Sequence, residues 1–526
     1  MQQVEVPAPP VVRPDPRIPS SGPRRTLDRH SLRRWFGPEL LVALIAGAAF
    51  CWRIGSAGPW RDEAATLVIA GRSIPQILSL ARGIDLVHLA YYLGVHEVMR
   101  LHPTPLLVQG LPEIRMVSAL AAAATAGVLV RIGRQLDSLP VGVTAGLVFA
   151  LGPMSSRYAQ EARPYALVIL AATFATYVLL RACRRPWLRR RWLLYAAAVV
   201  VAGMLNVLSL FVLAVHAVYL LGQAPAVVRR QWLRAATGAL AVIAPFVVAT
   251  FAQRGQVAWL AATDLSNLHD FFLTEYQTLA LPLLVVALGL AARWVPALRG
   301  AHGGALALGL TWSLLPPVAM WLISRQVPIF DWRYAVFTLP GTALVLASLA
   351  RVARPLGMAV PVVAVALLGW PMQLTYRDPV VGHAEDIQGA SAYVARHALP
   401  GDGILFIPAN MRLVEQLYPQ RFRGLRDLAL GQDPITSSTI SGTEVSADDL
   451  SLVASRYPRI WVVAGPFGMA ETWTDTDRAK VELLMRSYRI VRQRTVLKFT
   501  VFLYEQAGGD PGLPTHPTTL QPDHPF

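Results

Sequence analysis

The chain has 526 residues, 54% hydrophobic and 15% charged, with a net charge of +16 and a mean hydropathy of +0.43. A soluble chain would carry about a quarter charged residues. The composition therefore excludes an ordinary globular protein and indicates a polytopic α-helical membrane protein. The positive excess lies in arginines scattered between apolar runs, which fits membrane-flanking loops and argues against a nucleic-acid partner.

Residues 1–38 are rich in Pro and Arg, lack the apolar core of a signal peptide, and are expected to form a disordered cytoplasmic tail. Leu40–Ile54 reads as the first span, with Arg33 and Arg34 holding the N-terminus inside. Residues 56–85 then lie outside. Leu86–Met99 is apolar but holds His88, His96 and Glu97. Treating it as an external interfacial helix keeps every later arginine cluster on the cytoplasmic side.

Further spans follow at Ile114–Val130, Val141–Met154, Tyr165–Leu180, Trp192–Met204, Val207–Gly222 and Ala235–Phe251, then at Thr278–Ala292, Ala305–Ile323, Tyr334–Leu349 and Pro355–Met372. The total is about 11 crossings. Trp192–Gly222 reads either as two short spans or as one kinked span. Cys51 and Cys183 fall at opposite faces, so no disulfide is expected.

Past residue 372 the composition shifts. Gly403–Ile407, Arg459–Val463 and Phe499–Tyr504 read as short buried strands, and Asp386–His397 and Asp475–Ser487 have helical periodicity. The expected organisation is a membrane domain over 39–372, a small external α/β domain over 373–506, and a Pro-rich disordered tail over 507–526.

Four external segments carry clustered polar side chains. Arg61-Asp62-Glu63 follows the first span, where a carboxylate is either a helix-start residue or a functional group facing lipid headgroups. In Asp85-Leu-Val-His88-Leu-Ala-Tyr91-Tyr92, Asp85 and His88 share a helix face. They could hold a cation or a phosphate-linked substrate, or simply lie at headgroup level.

The segment from Arg157 to Tyr165 holds Tyr158, Gln160, Glu161 and Arg163. Two external arginines run against the positive-inside bias, which points to an anionic partner such as phosphate. Arg325 and Arg333 stand at further external span mouths, where phosphate neutralisation competes with snorkelling to headgroups. The loop 253–277 adds Asp264, His269, Asp270 and Glu275 without an informative spacing. No phosphate-cradling glycine loop or cysteine-based metal site is present in the sequence.

Together these segments resemble the GT-C superfamily of polytopic glycosyltransferases, and within it the bacterial family-39-type branch, often mannosyltransferases. Trp60-Arg61-Asp62-Glu63-Ala64, Asp85 to Tyr92, Tyr158 to Tyr165 and Trp332-Arg333-Tyr334 carry the resemblance. Where many relatives have His-Pro-Pro, this chain has Val87-His88-Leu89. The resemblance implies two interfacial helices in the first external loop and a polyprenyl-phosphate sugar as donor. It further implies transfer of that sugar, with mannose expected, to an envelope lipid, glycan or protein acceptor on the external side of the plasma membrane.

Carried over, Asp62 is the base. Glu63, Glu161 and Arg163 shape the sugar and acceptor pocket, with Asp85, His88 and Tyr158 nearby. Arg333, with Arg325, binds the donor phosphate. Members of the superfamily differ in metal use, so the cofactor stays open, with a divalent cation as one option. The competing classes are a transporter or flippase of lipid-linked glycans, and a non-catalytic membrane protein whose C-terminal domain binds an envelope partner.

Overall fold

The computed structural model describes residues 37–102, 110–257, 264–276, 287, 304–351, 355–465 and 473–507. The expected tails lie outside the described residues, apart from 37, 38 and 507. So do the expected span Thr278–Ala292 (apart from residue 287), the arginines after it and the side chain of Glu275.

Each remaining expected span coincides with an apolar helix. Pro38–Cys51 comes first, followed by Leu111–Leu136, Leu139–Leu151, Tyr165–Cys183, Arg189–Leu205, Val212–Gln223, Ala226–Ala252, Gly304–Ser324, Leu339–Ala347 and Leu356–Tyr376. Six described stretches are long and apolar enough to cross a membrane, and a seventh arises if Leu139–Leu151 and Pro153–Ala159, bent by 64°, form one span. Trp192–Gly222 is two helices. The break falls at Asn206, whose side chain accepts the Leu208 N–H at 2.9 Å and caps the following turn.

Helix–helix contact in the bundle relies on small residues. A Cβ on Gly133 would come 2.4 Å from the Cα of Gly142, so the helices Leu111–Leu136 and Leu139–Leu151 meet backbone to backbone. Burial grades the bundle. The most apolar window of Ala226–Ala252 is only 17% buried, against 83% for Trp332–Arg351, which marks the first as a lipid-facing edge and the second as the centre.

The long loop after the first helix carries three helices, Arg61–Ala70, Ile74–Gly83 and Leu89–Leu101. Ser73 and Gln76 close a capping box at the start of the second. The expected segment Leu86–Met99 is thus a three-residue turn followed by a helix that runs on to Leu101. The His96 ring nitrogen Nδ1 meets the Ala70 carbonyl at 2.9 Å and ties this helix to Arg61–Ala70.

The C-terminal part is a small α/β domain. Strands β1 (Gly403–Ile407), β2 (Arg426–Asp427), β3 (Leu430–Gln432), β4 (Thr443–Glu444), β5 (Arg459–Ala464), β6 (Tyr488–Val496) and β7 (Phe499–Gln506) form a five-stranded sheet, β2-β1-β5-β7-β6, and a two-stranded one, β3-β4. β1 pairs in parallel with β2 and β5, while β7 is antiparallel to β5 and β6. Leu67, Ile69 and Tyr92 of the long loop share one apolar cluster with Ile387, Phe406, Trp461 and Leu503. The domain therefore seats directly on the loop that carries Asp62.

Candidate active site

The N-terminal turn of helix Arg61–Ala70 presents Asp62 and Glu63 in opposite senses. Asp62 keeps a third of its side chain exposed, at 34%, whereas Glu63 is fully buried.

Asp62 faces two arginines. Arg333 Nη1 donates to Asp62 Oδ2 at 3.1 Å, and Arg163 Nη2 lies 4.0 Å from the same oxygen. Arg333 is oriented by Asp331, whose carboxylate accepts its backbone N–H at 2.9 Å, its Nε at 3.1 Å and its Nη2 at 3.3 Å. Arg163 also donates to the Asp62 carbonyl at 3.3 Å, and its Nη2 meets His88 Nε2 at 2.9 Å.

Since a guanidinium only donates, His88 accepts through Nε2 and carries its proton on Nδ1. Burial and the neighbouring Arg163 push His88 down to about 4, so it is neutral at physiological pH. Its buried Nδ1 has no hydrogen-bond partner. Asp85, in the left-handed region at φ 65°, receives a short hydrogen bond from the Tyr92 hydroxyl and lies 3.9 Å from His88.

Beside this open cluster is a closed one. Arg115 grips Glu63 bidentately, Nε to Oε1 at 2.9 Å and Nη2 to Oε2 at 2.6 Å. The Ala162 N–H adds a third bond to Glu63 at 2.6 Å. Burial alone would raise the Glu63 carboxyl, but the charge and hydrogen bonds of Arg115 outweigh it and hold the group below its ordinary value. Arg115 also donates to the carbonyls of Ile54, Ala57 and Gly58, and its Nη2 meets His383 Nε2 at 3.3 Å.

Glu161 pairs with Arg157 at 3.1 Å. Its Oε2 is buried without a partner, and burial, with repulsion from Glu63, pushes Glu161 up to about 7. This gives a signed expectation. A carboxyl raised in the folded state favours folding while protonated, and the contribution is lost as pH rises from about 4.5, the unfolded value, to about 7. The depressed histidines His88 and His383 act in the opposite sense. The check is therefore differential: the melting temperature of the wild type minus that of Glu161→Gln should fall between about pH 5 and pH 8.

The residues singled out in sequence thus separate into groups. Asp62, Asp85, His88, Arg163 and Arg333 come together in the open cluster. Glu63 and Glu161 form the closed one. Tyr158 is fully buried and packs edge-on against Tyr165 at 4.9 Å. Arg325 is exposed and stacks over Trp321 at 5.6 Å. Asp264, His269 and Asp270 are exposed, on or beside the helix Leu265–Tyr276, whose Phe271 is buried.

Three partners went unseen in sequence. Arg115 hid at the edge of an apolar run, although it is the same kind of anomaly as Arg157 and Arg163. His383 and Glu385 lie past the last span. The latter binds Arg61 through its backbone N–H at 2.9 Å and its Nε at 2.8 Å.

Among the described residues, no group of three or more His, Cys, Asp or Glu side chains is placed to hold a metal ion. Asp62 faces guanidinium groups rather than further metal donors.

A cavity of about 640 Å³ adjoins the open cluster. His88, Tyr165 and Tyr334 are among its lining residues, with Leu205, Val247, Phe251, Val327 and Ile329 supplying apolar wall.

Over 90% of its length the chain superposes on 98% of ArnT from Cupriavidus metallidurans bound to undecaprenyl phosphate, with a TM-score of 0.52 at 14% identity. The chain has the GT-C glycosyltransferase fold. The apo form of the same ArnT gives a TM-score of 0.50 at 14% identity, again over 90% of this chain and 98% of that one. An Archaeoglobus fulgidus oligosaccharyltransferase in complex with Zn and sulfate gives 0.49 at 10% identity, over 89% of this chain and 73% of that one.

By sequence, residues 104–248 match the family described as dolichyl-phosphate-mannose-protein mannosyltransferase. That match takes in Arg115, Glu161 and Arg163 and stops short of Asp62 and Arg333. No curated protein matches the sequence at a significant level. The partial family match and the GT-C fold agree with each other and with the several apolar spans.

Proposed function

We propose that this GT-C enzyme transfers a sugar from a polyprenyl-phosphate donor to an acceptor hydroxyl on the external face of the plasma membrane, with Asp62 as the base. The observation that carries the reading is the accessible Asp62 carboxylate between two guanidinium groups, beside an apolar cavity. The ArnT structure with undecaprenyl phosphate and the family description support a lipid-phosphate donor, and the latter supports mannose as the sugar. The acceptor is an envelope lipid, glycan or protein.

The chemistry asks for little else. The acceptor oxygen forms a bond to the anomeric carbon while its proton passes to Asp62. The bond from that carbon to the phosphate oxygen breaks, and the electron pair leaves on the polyprenyl phosphate. Positive charge near the departing phosphate stabilises that charge. A phosphate is already a good leaving group, so a separate general acid is less necessary. This differs from hydrolysis between two carboxylates.

Arg333 suits the phosphate role. Asp331 holds its Nε and Nη2, and its Nη1 contact with Asp62 is one that an arriving phosphate could exchange. That exchange would also release the carboxylate to take the acceptor proton.

Purified enzyme in reconstituted membranes should consume one of a panel of polyprenyl-phosphate sugars, mannosyl first. Mass spectrometry should show free polyprenyl phosphate and an acceptor heavier by one sugar. Donor moved across proteoliposomes without covalent change would replace this reading with transport.

A further inference from the structure

The opposite ends of the same helices carry a second polar concavity. In Leu111–Leu136, Arg115 lies beside Glu63 near the start, and Arg131 and Arg134 lie about 24 and 29 Å further along at about 1.5 Å per residue. In Tyr165–Cys183 the open cluster is at the start and Arg181 at the last turn. Where these ends meet, a cleft of about 520 Å³ is lined by Arg131, Arg134, Arg181, Arg184, Arg185 and Arg191.

Glu39 is the single carboxylate in the lining. It lies 3.9 Å from Arg131 and 3.7 Å from Arg134, longer than a hydrogen bond and with both arginines more than half exposed. Six guanidinium groups around one cleft repel one another unless an anion joins them. Arginine-rich membrane loops are ordinarily splayed into water, but several of these side chains are tethered. Arg184 Nη2 donates to the Gln135 carbonyl at 2.8 Å, Arg191 Nη1 to the Arg181 carbonyl at 2.5 Å, and Arg181 Nη1 to the Tyr177 hydroxyl at 3.1 Å. Each such bond uses one of the five guanidinium N–H groups and orients the others.

We propose that this cleft binds the phosphate groups of an anionic lipid headgroup. Its position at the span ends is where headgroups lie. Its size suits more than one phosphate, and guanidinium forks match phosphate oxygens bidentately. The site is separate from the Asp62 cluster, and its occupation does not depend on the identity of the transferred sugar.

The test uses the full chain in phosphatidylcholine nanodiscs doped with cardiolipin, with retained lipid read by native mass spectrometry. Wild type should retain cardiolipin selectively. The variant R131Q/R134Q/R185Q should lose on the order of 100-fold in retention, at about fivefold per arginine. The single variant Arg185→Gln, about fivefold weaker, covers the case in which the triple variant does not fold. R229Q/R230Q/R234Q, which removes three arginines from the start of helix Ala226–Ala252, outside the cleft, should retain the lipid.

Inorganic pyrophosphate forms the second arm. Binding of pyrophosphate but not cardiolipin, with the same dependence on the cleft arginines, would keep the phosphate site and assign it a soluble ligand. Equal losses in the two triple variants, or no preference for cardiolipin over phosphatidylcholine together with no binding of pyrophosphate, would overturn the proposal.

Discussion

Replacing Asp62 by Asn should lower kcat/KM for sugar transfer by about 10²- to 10⁴-fold, the range a positioned general base contributes. The amide preserves the size of the side chain and can still accept from Arg333, so folding should be unaffected. Donor affinity should hold or improve, since the guanidinium no longer has a carboxylate competing with phosphate. Arg333→Gln should show the reverse pattern, a raised donor KM along with slower turnover. Steady-state rates in reconstituted membranes distinguish the two. Near-normal turnover by Asp62→Asn would remove Asp62 as the base.

The second large effect is structural. Arg115→Met should destabilise the protein by about 3–5 kcal/mol, because it leaves Glu63 charged, buried and unpaired. Thermal unfolding of the detergent-solubilised protein measures it. The double variant E63L/R115M removes both charges and should recover part of the loss. Recovery should be incomplete, since the carbonyls of Ile54, Ala57 and Gly58 also lose the donor that Arg115 supplies. If Glu63 acted on substrate instead, Glu63→Gln would abolish transfer while leaving the melting temperature unchanged. With both its oxygens already bonded inside the protein, we read Glu63 as the residue that fixes the helix presenting Asp62.

The pattern of apolar runs and arginines carried most of the membrane helices, because a lipid-facing helix must be apolar along its length whatever its neighbours. Boundaries were less legible. Helix Ala226–Ala252 starts nine residues before the apolar stretch that revealed it, since Arg229, Arg230 and Arg234 continue the helix beyond the apolar layer. Strands β1, β5 and β7 of the C-terminal domain were visible as buried runs, whereas β6, the longest at nine residues, is largely exposed and was not. The two- and three-residue strands β2, β3 and β4 were not, because they are defined by pairing alone.

Within the site, residues close in sequence could be grouped by spacing, and Asp85 with His88 is such a case. Pairs separated by hundreds of positions could not. The bond from Arg61 to Glu385 spans 324 positions, and the one from Arg115 to His383 spans 268. Nothing local in either partner announces the other. The separate environments of Asp62 and Glu63 were equally hidden, because adjacent acids in one helical turn look alike until the surrounding helices choose which to bury.

Arg377, at the end of the last span, donates to the carbonyls of Ala49 and Trp52 at the end of the first helix and to the Ser156 hydroxyl. With Glu385 bound to Arg61, the bundle closes only when its last-made helix reaches back to its first. A ribosome adding about 5–20 residues per second takes roughly 16 to 65 s to travel from Arg61 to Glu385. Through that interval the nascent loop holds Asp62 without its latch. A chain cut short before residue 377 would lack both groups that fix the turn carrying Asp62, so that turn is set only after the last span has been made.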